Sequence, residues 1–198
     1  MVPVGANATP VPRLREQGRF RVGLFSTLAL GKRFDVVLQA FEEIARTVPG
    51  AELLLLGDFG EPGDPRVKAL QAEIAAHPFA GQIRAPGRLP LEEVARQVAT
   101  LEVFLFPMNT GANTRSGTLP LALGSGVPVV AVRGFETGSL FRADENLVFA
   151  EALTGGAFAD AALRLWREPG LSERVSAGAR ATYERHLGWD VITSALFG

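Results

Sequence analysis

Residues 110–130 read TGANTRSGTLPLALGSGVPVV: small and polar residues with one arginine, then a short apolar helix and an apolar strand. Ser116, Gly117 and Thr118 stand where that helix should open. The first-turn amides of a helix have no partners inside it, and the peptide dipoles add partial positive charge there. A glycine at such a place lets an anion approach the backbone. Ser116 and Thr118 add hydroxyl donors, and Arg115 adds a forked cation matched to phosphate oxygens. The pattern suits a phosphate seat. The alternative is an ordinary helix cap beside a surface arginine, and the residues alone leave the two level.

Three other stretches carry weaker chemistry. Lys32, in STLALGKRFD, precedes a helix and could neutralise a diphosphate; taken alone it reads more readily as a solvated lysine beside Arg33. Gly57-Asp58-Phe59-Gly60 reads as a turn, because Asp58 would repel a phosphate. Gly87-Arg88-Leu89 could edge a nucleobase, with Arg88 stacked on the ring. His77 and His186 lack a partner at metal-ligand spacing, and no Asp-x-Asp pair is present to hold a metal against a diphosphate. No Gly-x-Gly-x-x-Gly follows the first strand, and there is no Walker loop and no Gly-x-Ser-x-Gly elbow. Those absences exclude the common nicotinamide, P-loop and serine-hydrolase readings. Trp166 and Trp189 fall at helical positions and read as packing residues.

The elements that must position these residues alternate along the chain. Strands are predicted at 20–26, 52–58, 82–87, 103–107, 128–132 and 147–150, and helices at 34–48, 65–76, 91–99, 156–167, 171–185 and 189–196, besides the one opening at Ser116. Val37, Phe41, Ile44 and Val48 form one apolar helical face, and Leu91, Val94 and Val98 should point inward from another. Asp64 can cap the helix that Pro65 begins. ELLLL at 52–56 is apolar on both faces, as a parallel sheet requires. Such alternation predicts an α/β fold, a doubly wound parallel sheet flanked by helices, with ligands beyond the carboxyl ends of the strands. Residues 1–18, with three prolines, read as an extended segment leading into a domain over 19–198.

Composition narrows the function. Of 198 residues 47% are hydrophobic, enough for a sizeable core. The net charge of −1 argues against a nucleic-acid partner. The chain has no cysteine, which removes disulfides and thiolate chemistry and suits a reducing cytosol. No apolar run approaches the roughly 18 residues that span a bilayer, and the first residues lack the pattern of a signal peptide. The sequon at Asn7 is read as chance.

Several of these stretches, in order, resemble one family. FRVGLFSTLALGKRFDVVLQAFEEIARTVPGAELLLLGD is similar to the opening of the C-terminal domain of family 4 glycosyltransferases, enzymes of the two-domain GT-B fold. APGRLPLEEVARQVATLEVFLFP, LALGSGVPVVAV, FRADENLVFAEA and Trp189 resemble that family's later motifs, and VPVGANATPVP resembles its interdomain linker. The resemblance implies a Rossmann-like half that binds a nucleotide diphosphate sugar, with transfer usually retaining and without a metal or other cofactor. By match, Lys32 would hold the diphosphate and, with Arg115, act in catalysis; Ser116, Gly117 and Thr118 would take phosphate oxygens, and Arg88 and Leu89 would meet the base. Thr27 and Asn113 complete the implied donor site.

The departures are specific. The family commonly carries two glutamates eight apart around the helix, and their positions here hold Asn113 and Leu121. An arginine often found five residues before the lysine is Thr27 here. TRSGTLPLALGSGVPVV and VPVGAN resemble a subset with an RRGS-like loop instead of the glutamates. By the resemblance, the missing N-terminal acceptor-binding domain is expected to be supplied in cis or in trans. The expected role is the donor-binding half of a hexosyltransferase, cytoplasmic, with room for peripheral membrane association of the full enzyme. The competing expectations are a nucleotide-binding module without turnover, a nucleotide-sugar epimerase-like domain, and a flavodoxin-like domain with no nucleotide site.

Overall fold

The computed structural model describes residues 3–14, 18–28 and 31–197. Parts of two predicted features, residues 1–2 and 15–17 of the leading segment and 29–30 of the loop before Lys32, lie outside the described residues. The strands are β1 (Arg21–Phe25), β2 (Glu52–Leu56), β3 (Ile83–Arg84), β4 (Val103–Phe106), β5 (Val129–Val132) and β6 (Val148–Ala150). The helices are α1 (Phe34–Thr47), α2 (Pro65–Ala76), α3 (Leu91–Ala99), α4 (Thr118–Ser125), α5 (Gly155–Arg167), α6 (Pro169–Thr182) and α7 (Trp189–Phe197). A 3₁₀ turn, Ala80–Gln82, precedes β3, and a π turn, Tyr183–Leu187, links α6 to α7.

All strand pairs are parallel, in the order β3-β2-β1-β4-β5-β6. The doubly wound parallel sheet expected from the alternation is therefore present. The order reverses between β1 and β4, and that crevice is where doubly wound sheets receive their ligands. Alternate residues of each strand enter opposite layers. Leu53, Leu55, Val103, Leu105, Val130 and Val148 pack toward α1 and α5. Leu54, Leu56, Phe104, Phe106, Val129 and Ala131 pack toward α3 and α4.

Local chemistry explains most element ends. Asp64 accepts a hydrogen bond from the Arg66 amide and Pro65 starts α2, as expected. Thr154 caps α5 through its hydroxyl. Val94 and Val98 are buried in α3, but Leu91 is 52% exposed. It stands first in the helix, immediately after the Pro90 cap, so it lies beyond the turn that faces the sheet. His77 is a structural staple: it accepts from the Phe79 amide at Nδ1 and Nε2 lies 3.1 Å from the Leu38 carbonyl oxygen. Trp166 packs on Phe20 with ring centroids 4.6 Å apart. Trp189 donates from its indole to the Ala6 carbonyl at 2.9 Å and so ties α7 to the leading segment.

Gly178 in α6 touches the turn before β6. A β-carbon there would enter the Glu145 carbonyl oxygen. Helix preference alone would favour alanine by about 0.5–1 kcal/mol, while overpacking against fixed backbone costs about 1–3 kcal/mol. The clash should win, so Gly178→Ala is expected to lower stability by about 1–2 kcal/mol in urea unfolding; an unchanged midpoint would show that α6 shifts freely.

Candidate functional site

The loop after β1 docks on the end of β4 across the switch point. Lys32 forms an isolated antiparallel bridge with Met108. The Arg33 amide donates to the Pro107 carbonyl at 3.3 Å. These bonds hold Lys32 half-buried, with its ammonium 5.6 Å from the centroid of the Phe106 ring. Burial holds the lysine below its ordinary pKa, because desolvation penalises the charged form. Beside it an open cleft of about 360 Å³ runs between Leu28, Phe34, Arg66 and Leu70.

The arginines around this rim are tied up. Arg33 pairs with Asp35 at 2.6 Å and Arg66 with Asp64 at 2.6 Å. Arg88 lies 3.7 Å from Asp58, which joins two of the strand exits. Asp58 also accepts from the Gly60 amide, so it makes the turn expected of it. Arg115 pairs with Glu136. Arg133, just past β5, stacks on the Phe149 ring at 4.0 Å. Among the described residues Lys32 has no carboxylate partner.

The 107–118 loop is built around Asn113. Its Oδ1 accepts from the Arg115 amide at 3.0 Å, and its Nδ2 donates toward Thr110 Oγ1, the Gly111 carbonyl and Glu136 Oε2 at 3.1–3.3 Å. Asn113 is 6% exposed, so its carboxamide is spent on the loop rather than offered to a ligand. α4 opens at Thr118 with Gly117 as its cap, and no side chain caps it. Ser116 and Thr118 hydroxyls bond each other at 2.9 Å. Thr27 is exposed beside the buried Ser26, and Arg88 is exposed while Leu89 is half-buried.

Gly117 also has a neighbour from the start of the chain. Its Cα is covered by Asn7: a β-carbon at 117 would enter the Asn7 carboxamide oxygen. The Asn7 amide also donates to the Gly117 carbonyl at 3.1 Å, and the Val4 amide to Thr114 at 2.7 Å. The leading segment thus lies along the mouth of α4. Sequence reading passed over Asn7 as a chance sequon and never raised Glu136. Asn7 ends the VPVGAN stretch, which marks a linker and not a contact, and Glu136 lies in no motif; both reach the loop from other parts of the chain.

The described residues contain no group of three or more His, Cys, Asp or Glu able to hold a metal ion. No described helix is long and apolar enough to cross a membrane.

Residues 19–168 match the family described as glycosyl transferases group 1. The chain belongs to that family. Among curated proteins no sequence matches it. Its fold is similar to that of this family's solved members. Sucrose-phosphate synthase from Thermosynechococcus elongatus aligns with TM-score 0.81 at 16% identity, over 98% of this chain and 50% of that one. HepE from Anabaena, solved with UDP and glucose, aligns with TM-score 0.77 at 18% identity, over 90% and 47%. The C-terminal domain of LpcC, a group 1 family protein from Francisella tularensis, aligns with TM-score 0.73 at 15% identity, over 95% and 97%. This group 1 chain therefore has the GT-B C-terminal fold and spans about half the length of HepE and the synthase.

Gly117 has ordinary helical φ of −69°, and Asn7 is exposed, so a methyl group at 117 need only turn the carboxamide aside. Gly117→Ala is expected to cost less than about 1 kcal/mol in urea unfolding. A loss of several times that would show Asn7 to be locked over the helix.

Proposed function

We propose that the chain is the donor-binding half of a transferase that moves a sugar from a nucleotide diphosphate, with retention and without a metal, to an acceptor held by a second domain. The observation that carries this reading is Lys32. It stands at the switch point, desolvated and without a carboxylate partner among the described residues, where β1 and β4 exit side by side. Leaving a cation half-buried and unpaired is unfavourable unless an anion visits it. A diphosphate fits that need, and family membership supplies the class of ligand. HepE was solved with UDP, with UDP and glucose, and with UDP-glucose, which supports a nucleotide-sugar donor here.

In this reading Lys32 meets the diphosphate and offsets the charge that grows as the leaving group departs. Ser116, Thr118 and the amides opening α4 would take further oxygens, once Asn7 turns aside. Arg115 would exchange its bond to Glu136 for one to phosphate. Preset donors of this kind stabilise a transition state without reorganising during reaction. Arg88 and Leu89 would border the base, and Thr27 the diphosphate. The acceptor contacts and the rest of the cleft would come from another domain, in cis or in trans, and the absence of cysteine suits a cytosolic setting. A module that binds the donor without turnover is the second reading.

The test is calorimetry of the full chain with UDP, GDP, ADP and TDP. Lys32→Ala should lower the affinity of whichever binds by tenfold or more with an unchanged melting temperature. The pH dependence has a defined sign. Burial lowers the free lysine's pKa, and a bound phosphate would raise it, so binding takes up a proton only at pH between the two. Affinity is full below the lowered pKa and falls as pH rises through it; Lys32→Arg, which stays charged, should flatten that fall. Equal affinities for wild type and Lys32→Ala would overturn the assignment.

A further inference from the structure

We infer that Glu136 is the carboxylate that orients the donor's sugar, a specificity-determining residue placed in space where the helix sequence lacks one; this rests on the donor reading above. The two positions on and before α4 where the resemblance leads one to expect carboxylates carry none and are taken up within the fold. Leu121 is fully buried in the core, and Asn113 spends its carboxamide inside its own loop. The loop after β5 supplies the missing group instead. The Glu136 amide donates to the Thr110 carbonyl at 3.1 Å, and the Ala112 amide to the Val132 carbonyl at 3.4 Å, so the loops leaving β4 and β5 are laced together. Thr137 Oγ1 accepts from the Gly134 amide at 2.9 Å and fixes the turn that carries Glu136.

The carboxylate that results is held but not exhausted. Oε2 accepts from Asn113 Nδ2 at 3.3 Å, and Oε1 pairs with Arg115. A carboxylate offers about four acceptor sites, so each oxygen keeps a lone pair. The Glu136 side chain is 20% exposed, enough to meet a ligand along the rim. Among the other carboxylates at the rim, Asp35, Asp58 and Asp64 pair with arginines and Glu73 lines the cleft beside Lys32, all on the β1–β2–β3 side. Glu136 alone among these borders the loop that leads into α4, on the β4–β5 side. With phosphate drawn toward Lys32 and the α4 opening, the next group along a donor is an uncharged ring bearing hydroxyls. A fixed carboxylate is the strongest neutral-hydroxyl acceptor a side chain offers.

The experiment is calorimetry of the full chain with UDP, GDP, ADP and TDP and the glucose conjugate of each, for wild type, Glu136→Gln and Glu136→Asp. Wild type should hold one conjugate at least fivefold more tightly than its own diphosphate. Glu136→Gln should bring the two within twofold while leaving the bare diphosphate equal or tighter, since Arg115 is released. Glu136→Asp, which keeps the charge on a shorter arm, should fall between, and it carries the test should the glutamine variant melt early. Persistence of the fivefold gap in Glu136→Gln, or no gap in a wild type that binds diphosphate, would overturn the inference alone. A wild type that binds none of the four diphosphates would overturn the donor reading and this inference with it.

Discussion

A parallel sheet covered by helices on both faces has only its strand ends left for a ligand. Every residue of β4 and β5 is buried, and both layers are apolar. Polar chemistry is therefore pushed to the loops, and the order reversal between β1 and β4 opens the one crevice that the winding itself creates. The bridge between Lys32 and Met108 crosses that crevice. It fixes the first loop to the fourth strand and makes a single rim from segments that are far apart in sequence. The position of Lys32 at the candidate site depends on this contact.

Electrostatics then sort the cations of the rim. An ion pair at an exposed position contributes about 0.2–1 kcal/mol, which is small beside the roughly 1.5–3 kcal/mol of a hydrogen bond to a charged group. Arg115, whose side chain is 51% exposed, can leave Glu136 for a phosphate at little cost. Lys32 is the opposite case. It is drier and unpaired among the described residues, so it carries an unmet demand for charge in the free protein. One cation of the rim is thus paired and exposed, the other drier and without a carboxylate partner among the described residues.

The sequence made the scaffold legible where a local rule acts alone. Asp64 followed by Pro65 announced α2 to the residue, and the apolar run at 52–56 announced a strand buried on both faces. Lys32 was visible as a residue type, but its burial was not, because the bridge to Met108 depends on a partner 76 positions away. Gly117 has a neighbour that its local sequence does not announce: the Asn7 carboxamide lies over its Cα in the structure. Glu136 escaped because nothing periodic or motif-like marks it, and Asn7 because the stretches it belongs to, a sequon and a linker, do not announce a contact with α4. Each becomes a site residue only when the leading segment lies along α4, or when the loop after β5 is laced to the loop after β4. Leu91 failed for a smaller reason: an apolar residue in the first position of a helix need not share the face of those that follow.

Asn7 links these observations to the protein's architecture. The segment that covers the α4 opening is itself latched by Trp189, the first residue of the last helix, through the Ala6 carbonyl. Its backbone is stitched to the loop at Thr114 and Gly117. The mouth of α4 is therefore enclosed by both ends of the described chain, not by a neighbouring loop alone. Any displacement of the leading segment relative to α7 would move Asn7 across the Gly117 backbone.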